Sequence, residues 1–228
     1  KYGYVTHDDY PFGKDDGKLT IPKGSTRREY YLDVNQMTEL YHVFIEKKYP
    51  EDWDQDWREH AHESLGLFLV QYLCNGFNLA DAARLVYDDH YFKSGKKSFR
   101  FIRKKTEDRS DTEIVIPIIE PLQKILDEIA AKPEKGALVF PQIYAGETDE
   151  NKQKARISQE NQNIRKRLGR LVKSMGWEVA PSGTWCRHSF ATNLSHAGGV
   201  PKEYIQEAMG HSVMSGTVTD RYIQSYPI

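Results

Sequence analysis

The chain has 228 residues, 39% hydrophobic and 29% charged, with a formal net charge of −1; that is enough for one large soluble domain, or two small ones, around a sizeable core. The near-zero balance gives no bulk-charge sign of a nucleic-acid binder, and no apolar run is long enough to span a bilayer. Cys74 and Cys186 are the only cysteines, which speaks against a disulfide framework or a zinc–thiolate site and fits a reducing, cytoplasmic setting.

Residues 1–31 are turn-rich, with Tyr10-Pro11 and Ile21-Pro22 and at most a short extended piece at 18–21; they read as a linker or arm ahead of a domain over 32–228. No signal peptide is visible, and the start at Lys1 rather than Met reads as an excised fragment. From Asp33 the spacing of Val34, Met37, Leu40, Tyr41 and Phe44 predicts a helix capped by Asp33 or Asn35. Residues 57–74, WREHAHESLGLFLVQYLC, form a second, mostly apolar helix that Asn75-Gly76 stops. A further helix begins at Asn78, with Asp81 and Arg84 in its first turns. His60 and His62 stand two apart and so point to different helix faces, which disfavours a metal pair.

Residues 90–118 alternate apolar and basic positions and predict a small antiparallel meander. Phe99 and Phe101 would face one side, Arg100 and Ile102 the other, with Arg103, Lys104, Lys105 and Thr106 at or beside a hairpin turn. A helix over 120–132 ends at Lys132-Pro133; residues 137–140 are a short buried strand or turn, and 142–152 a polar loop. A helix over 156–175 turns Ile157, Ile164, Leu168, Leu171 and Val172 inward and Arg165, Lys166, Arg167, Arg170 and Lys173 mostly outward. The basic blocks at 93–109 and 152–173 on a neutral chain point to a local anionic partner, with solvated faces as the plainer reading.

The last stretch holds the chemistry. Arg187 and His188 precede an apolar helix-like run, a Gly-Val-Pro break leads to a second amphipathic run, and Gly210-His211-Ser212 is followed by Tyr222. If these elements fold back on each other, a cation, an imidazole and a phenol converge on one phosphate. A phenol with a pKa of about 10 needs activation to act as a nucleophile at neutral pH. A phosphodiester suits its neighbours: Arg187 can hold the non-bridging oxygens bidentately, His211 can hydrogen-bond the phosphate or help move the Tyr222 proton, and Lys105 can protonate the departing sugar oxygen. Such chemistry requires neither metal nor other cofactor. On the residues alone, Arg187 as a buried structural arginine and Tyr222 as an ordinary amphipathic surface residue are the plainer readings.

RHSFATNL at 187–194, GGVPKEYIQEAMGHS at 198–212 and VTDRYI at 218–223 closely resemble the C-terminal signature of tyrosine recombinases, the phage-integrase family, and most of all the branch carried by Bacteroidetes mobile elements. Upstream, REYYLDVNQMTELY resembles that family's opening helix, QYLCNGFNLADAARL its next helix pair, and FIRKKT its hairpin lysine. The resemblance implies an α+β fold, mostly helical, with a small antiparallel sheet. It implies Tyr222 as nucleophile, Arg187 as second catalytic arginine, His211 at the histidine-or-tryptophan position and Lys105 as the hairpin lysine, with Lys104 a one-residue alternative. Asp81 falls where many members carry an acid. The implied partners are double-stranded DNA and, for the full-length protein, a homotetramer in the bacterial cytoplasm, with an N-terminal DNA-binding domain that is absent from this fragment.

The chain departs from the pattern. Asn78 stands where the first catalytic arginine is expected, leaving Arg84 as a substitute about two turns along the same helix; Thr184 stands three residues before Arg187 in place of a histidine; and His211 and Tyr222 are spaced somewhat further apart than in many members, which keeps Tyr226 in view as nucleophile. His188 completes the Arg-His pair as a supporting candidate, and Arg103, Lys104, Arg165, Lys166 and Arg167 are the candidate DNA contacts. Three other readings stay open: a helix-turn-helix-like regulator built on YIQEAMGHSVMSGTVTDRYI, a nicking-closing topoisomerase, and a degenerate recombinase that binds DNA without cutting it.

Overall fold

The computed structural model describes residues 31–102 and 113–210. The chain enters its core at Leu32, whose side chain is fully buried. Helix α1, Val34–Glu46, starts on a reciprocal cap: Asp33 accepts from the Gln36 N–H at 2.8 Å, and the Gln36 side chain accepts from the Asp33 N–H at 3.0 Å. Met37, Leu40 and Phe44 face the core, whereas Val34 lies off that stripe and is 55% exposed, contrary to its expected inward place. Helix α2, Gln55–Leu73, begins on the Asp54 cap. Its second half, from Ser64 to Gln71, is buried on every side, as an axis helix must be when neighbours surround it. It packs against α1 and three later helices: α5, Glu120–Ile129; α6, Glu150–Ser174; and α7, Gly183–His196.

The expected meander is one hairpin preceded by a helical turn. Asp88 caps α4, Asp89–Lys93, by accepting from the Tyr91 N–H at 2.9 Å, so the first residues of the alternating stretch coil rather than extend. Strand β1, Ser98–Ile102, pairs antiparallel with β2, Glu113–Pro117, from Ser98↔Pro117 to Ile102↔Glu113. Phe99, Phe101, Ile114 and Ile116 are buried on the core side, and Arg100 and Ile102 are on the other. Tyr91 stacks on Phe99 at 5.1 Å, so α4 covers the strand pair. The short helix α3, Leu79–Ala83, lies between α2 and this hairpin unit.

Helix α5 ends at Ile129, short of the expected 132, because Ala130 turns extended and the Ala131 N–H bonds the Val139 carbonyl at 2.9 Å. Residues 137–140 form the expected buried strand-like piece: Leu138 bridges Val86, and the Val139 N–H donates to the Leu85 carbonyl at 2.9 Å. A short 3₁₀ turn, Pro141–Ile143, follows. Helix α6 starts at Glu150, earlier than the expected 156, since Asp149 caps it by accepting from the Lys152 N–H at 2.9 Å. Its first turns are polar throughout and carry no apolar period. Arg187 and His188 lie within α7, not ahead of it, and α8, Lys202–Ala208, follows the Gly-Gly-Val-Pro break. The result is a mostly helical α+β domain with a two-stranded antiparallel sheet. Among the described residues, no helix is long and apolar enough to cross a membrane.

Candidate active site

Helix α7 carries the Arg187 side of the site and is moored on three sides. Inward, Cys186 is fully buried and its thiol donates to the Phe68 carbonyl at 3.2 Å; burial pushes this thiol well above its usual range, and that of Cys74 up to about 12, so neither is a nucleophile near neutral pH. Toward the start of the domain, Ser189 Oγ accepts from the Leu32 N–H at 2.8 Å, and Asn193 Nδ2 donates to the Leu32 carbonyl at 3.1 Å and to Tyr72 Oη at 3.2 Å. Toward the α2–α3 loop, Arg187 Nη1 donates to the Gly76 carbonyl at 2.9 Å, and its Nη2 donates to the Met209 carbonyl at 3.2 Å. Gly76 has a φ of +68°, and a Cβ there would lie 3.1 Å from the Arg187 Cα. The residue that ends the α2 run is therefore also the one that lets α7 approach.

Met209 is two residues from His211, so the guanidinium is tied to the backbone that leads into the second half of the signature. His188 is exposed and lines a cleft of about 570 Å³ between α7 and α8, with Arg187, Thr192, His196, Lys202 and Gln206. This lining is basic and free of carboxylates among the described residues. Tyr222, His211, Lys105, Lys104 and Arg103 lie outside the described residues.

A second cleft, of about 420 Å³, opens at the start of α7 and is walled by α2, α3 and α6; Asn78, Thr184, Arg165, Asn161, Ser182 and Gln71 line it. It brings together Asn78 and Thr184, two of the three departures from the family pattern. Asp81 is 6% exposed and starts α3, its Oδ2 accepting from the Asn78 N–H at 3.1 Å. Arg84 is not two turns along the same helix: α3 ends at Ala83 and Arg84 is its C-cap. Its guanidinium lies over the Phe101 ring at 5.2 Å and 3.6 Å from Asp81 Oδ1. That is the hairpin side of α3, and Arg84 lines neither cleft.

The basic residues of α6 divide by what they touch. Arg165 is exposed at the second cleft. Lys166 Nζ lies 5.4 Å from the Trp57 ring, and Arg170 packs over Trp53 and Trp57 at 5.0 and 4.9 Å. Arg167 does not point outward as expected: its side chain is 16% exposed, and Nη1 donates to Ser64 Oγ at 3.0 Å and pairs with Glu160 at 3.5 Å. It borders the Ile164–Leu168 stripe, so the helix turns it against α2. His62 is likewise structural, stacked on Phe44 at 4.1 Å and bonded to Tyr49 Oη at 2.8 Å and Glu128 at 3.0 Å. Among the described residues, no three His, Cys, Asp or Glu side chains gather into a metal-binding group. Gln71 was missed as a site residue, although a lone glutamine inside FLVQYL, with apolar neighbours on both sides, is the sequence mark of a buried polar group.

The domain is thus helical α+β with a two-stranded hairpin, and its Arg187 is clamped between the α2–α3 loop and the end of α8. The sequence matches the phage integrase family over residues 31–227, and the chain belongs to that family. It is similar to the crystal structure of XerA recombinase at 13% identity and a TM-score of 0.39, covering 82% of this chain and 76% of that one. No curated protein matches it.

Proposed function

We propose that this protein is a site-specific DNA recombinase that cuts and rejoins strands through a tyrosine ester. Tyr222 Oη attacks the phosphorus of a DNA phosphodiester, the bond to the 5′ oxygen breaks, and a 3′-phosphotyrosyl link forms. Lys105 gives its proton to the departing 5′ oxygen, His211 takes up the phenol proton or bonds the phosphate, and Arg187 offsets the charge that develops on the non-bridging oxygens. The 5′ hydroxyl of a partner strand then attacks the same phosphorus and frees Tyr222, so the ester conserves the energy of the broken bond. Double-stranded DNA in the cytoplasm of a bacterium, on a mobile element, is the substrate this reading assigns, with a homotetramer of full-length chains bringing two segments together.

The observation that carries the reading is the placement of Arg187: a half-buried guanidinium whose bonds to the Gly76 and Met209 carbonyls fix it beside the segment leading to His211. One observation favours a second reading, DNA binding without cleavage: the neutral Asn78 and Thr184 line the cleft next to Arg187, and Arg84 is turned elsewhere. A suicide duplex, nicked near the cleavage point so that religation fails, separates the two. Full-length protein is expected to form a protease-sensitive covalent adduct that Tyr222→Phe abolishes. An adduct that survives in Tyr222→Phe moves the nucleophile to Tyr226 or another group. Tight site-specific binding with no adduct rejects cleavage.

A further inference from the structure

The cleft walled by α2, α3, α6 and α7 sets polar side chains around an apolar patch of Leu79, Ala80 and Ile157. Arg165, Asn78, Asn161, Ser182 and Thr184 all carry hydrogen-bond donors, and no carboxylate is among the described residues around it. α7 begins here, and its N-cap residue Ser182 makes no capping bond through its side chain; the Ser182 hydroxyl is paired instead with that of Thr184 at 3.1 Å. The first turn of this fourteen-residue helix thus receives no capping bond from Ser182, and the summed helix dipole makes this end positive.

The floor gives an independent sign of an occupant. Gln71 is fully buried, its Nε2 donates to the Leu67 carbonyl at 3.1 Å, and its Oε1 has no hydrogen-bond partner. A Cβ on Gly183 would stand 3.1 Å from that Oε1 and 2.9 Å from Asn161 Oδ1, so a glycine keeps the floor clear. An orphaned acceptor beneath a ring of donors is matched by a molecule with an anionic group at one end and an N–H or O–H at the other. A bare anion satisfies the walls and leaves the floor unpaired. A nucleotide unit of a DNA strand, with its phosphate and a base amine, satisfies both.

Of the cations in the middle of α6, Arg167 is used by Ser64 and Glu160, and Lys166 and Arg170 lie on tryptophan rings. Arg165 forms no ion pair among the described residues. Thr184 stands about one helical turn from Arg187, or roughly 5 Å along the axis, so the cleft adjoins the Arg187 site. We propose that the cleft seats the nucleotide next to the one Arg187 holds, and that Arg165 contributes from α6 the guanidinium that Asn78 lacks on α3. This rests on the DNA-cleavage reading above and adds to it a phosphate-binding residue and a base-contacting floor.

The test uses full-length protein and a duplex carrying its selected site, with two readouts: the slope of log affinity against log salt, and the single-turnover rate of adduct formation. Arg165→Gln is expected to reduce the salt slope by about one, as losing one phosphate contact does, and to slow adduct formation by about 10²-fold. Lys152→Gln, near the far end of the same helix, is the control for general surface charge. Adding Asn78→Arg to Arg165→Gln returns a guanidinium to the facing wall and is expected to recover most of the rate, which a folding defect would not allow. Gln71→Met is expected to weaken binding severalfold with the slope unchanged; full affinity in that variant overturns the nucleotide assignment in favour of phosphate alone. If the wild-type protein forms no adduct, the cleavage reading fails, and the salt slope decides the cleft by itself. A slope change in Arg165→Gln no larger than in Lys152→Gln overturns the cleft as a phosphate site. A reduced slope with an unaltered rate overturns the role of Arg165 beside Arg187.

Discussion

Gly76→Ala tests the Arg187 anchor most directly, because the molecule supplies its own control. Gly76 and Gly95 have nearly the same backbone, with φ of +68° and +69°, but a Cβ at Gly76 meets the Arg187 Cα at 3.1 Å and one at Gly95 meets nothing within 4 Å. The left-handed strain common to both substitutions is about 1–2 kcal/mol. The contact adds an overpacking term of about 1–3 kcal/mol at Gly76 only, since the opposing atom is backbone and cannot rotate away. Gly95→Ala is therefore expected to lower stability by about 1–2 kcal/mol and Gly76→Ala by about 2–5 kcal/mol, with Tm falling about 2–4 °C per kcal/mol for a chain of this size. Thermal and urea unfolding of the two variants measure the difference. The suicide-duplex assay then shows whether Gly76→Ala, which shifts the carbonyl that accepts from Arg187, slows cleavage far more than Gly95→Ala does. Equal losses of stability, with equal cleavage rates, would refute the claim that this glycine sets the position of Arg187.

Three further outcomes follow from the packing. Arg167→Met is expected to cost about 1–3 kcal/mol, because it removes the donor to the buried Ser64 and leaves the partly buried Glu160 with Asn163 alone, while leaving the salt slope of DNA binding as in wild type; a reduced slope would mean that Arg167 reaches DNA. Ser189→Ala removes the acceptor of the buried Leu32 N–H and is expected to destabilise by about 1–3 kcal/mol, with faster amide exchange at Leu32; unchanged exchange would refute the tether. Burial holds the His62 imidazole below the usual histidine range, the Glu128 pairing opposing this only in part. A histidine with a depressed folded pKa contributes stability that is fully present above the unfolded value and lost as pH falls through that value toward the folded one. Unfolding free energy should therefore drop as pH falls below about 6.5, and His62→Gln should flatten that part of the profile; an identical slope in the variant would clear His62.

The elements that could be read in advance are those whose residues answer to neighbours in sequence. Asp33, one of the two expected caps, caps α1, Asn75-Gly76 stops α2, and the alternation of Phe99, Arg100, Phe101 and Ile102 sets the hairpin faces. Where the reading erred, tertiary packing overrode the local pattern or the local pattern was silent. The first turns of α6 are polar, so only the Asp149 cap marks their start. Arg167 is polar yet turns inward because α2 offers it Ser64. The cleft that joins Gln71, Asn78, Arg165 and Thr184 is assembled from three separated stretches, residues 71–80, 157–165 and 182–184, and no spacing rule links them. Arg187 stands out in the sequence as a candidate, whereas its carbonyl partners at Gly76 and Met209 do not, since backbone acceptors leave no trace in side-chain identity.

Helix α7 holds both ends of the described domain. Leu32 hangs from Ser189 and Asn193, and Met209 hangs from Arg187, all on the same fourteen-residue rod. Mechanically, this makes α7 the member through which both pulls pass: tension from whatever precedes Leu32 and tension from whatever follows Met209 both act on the helix that carries Arg187, separated by less than two of its turns.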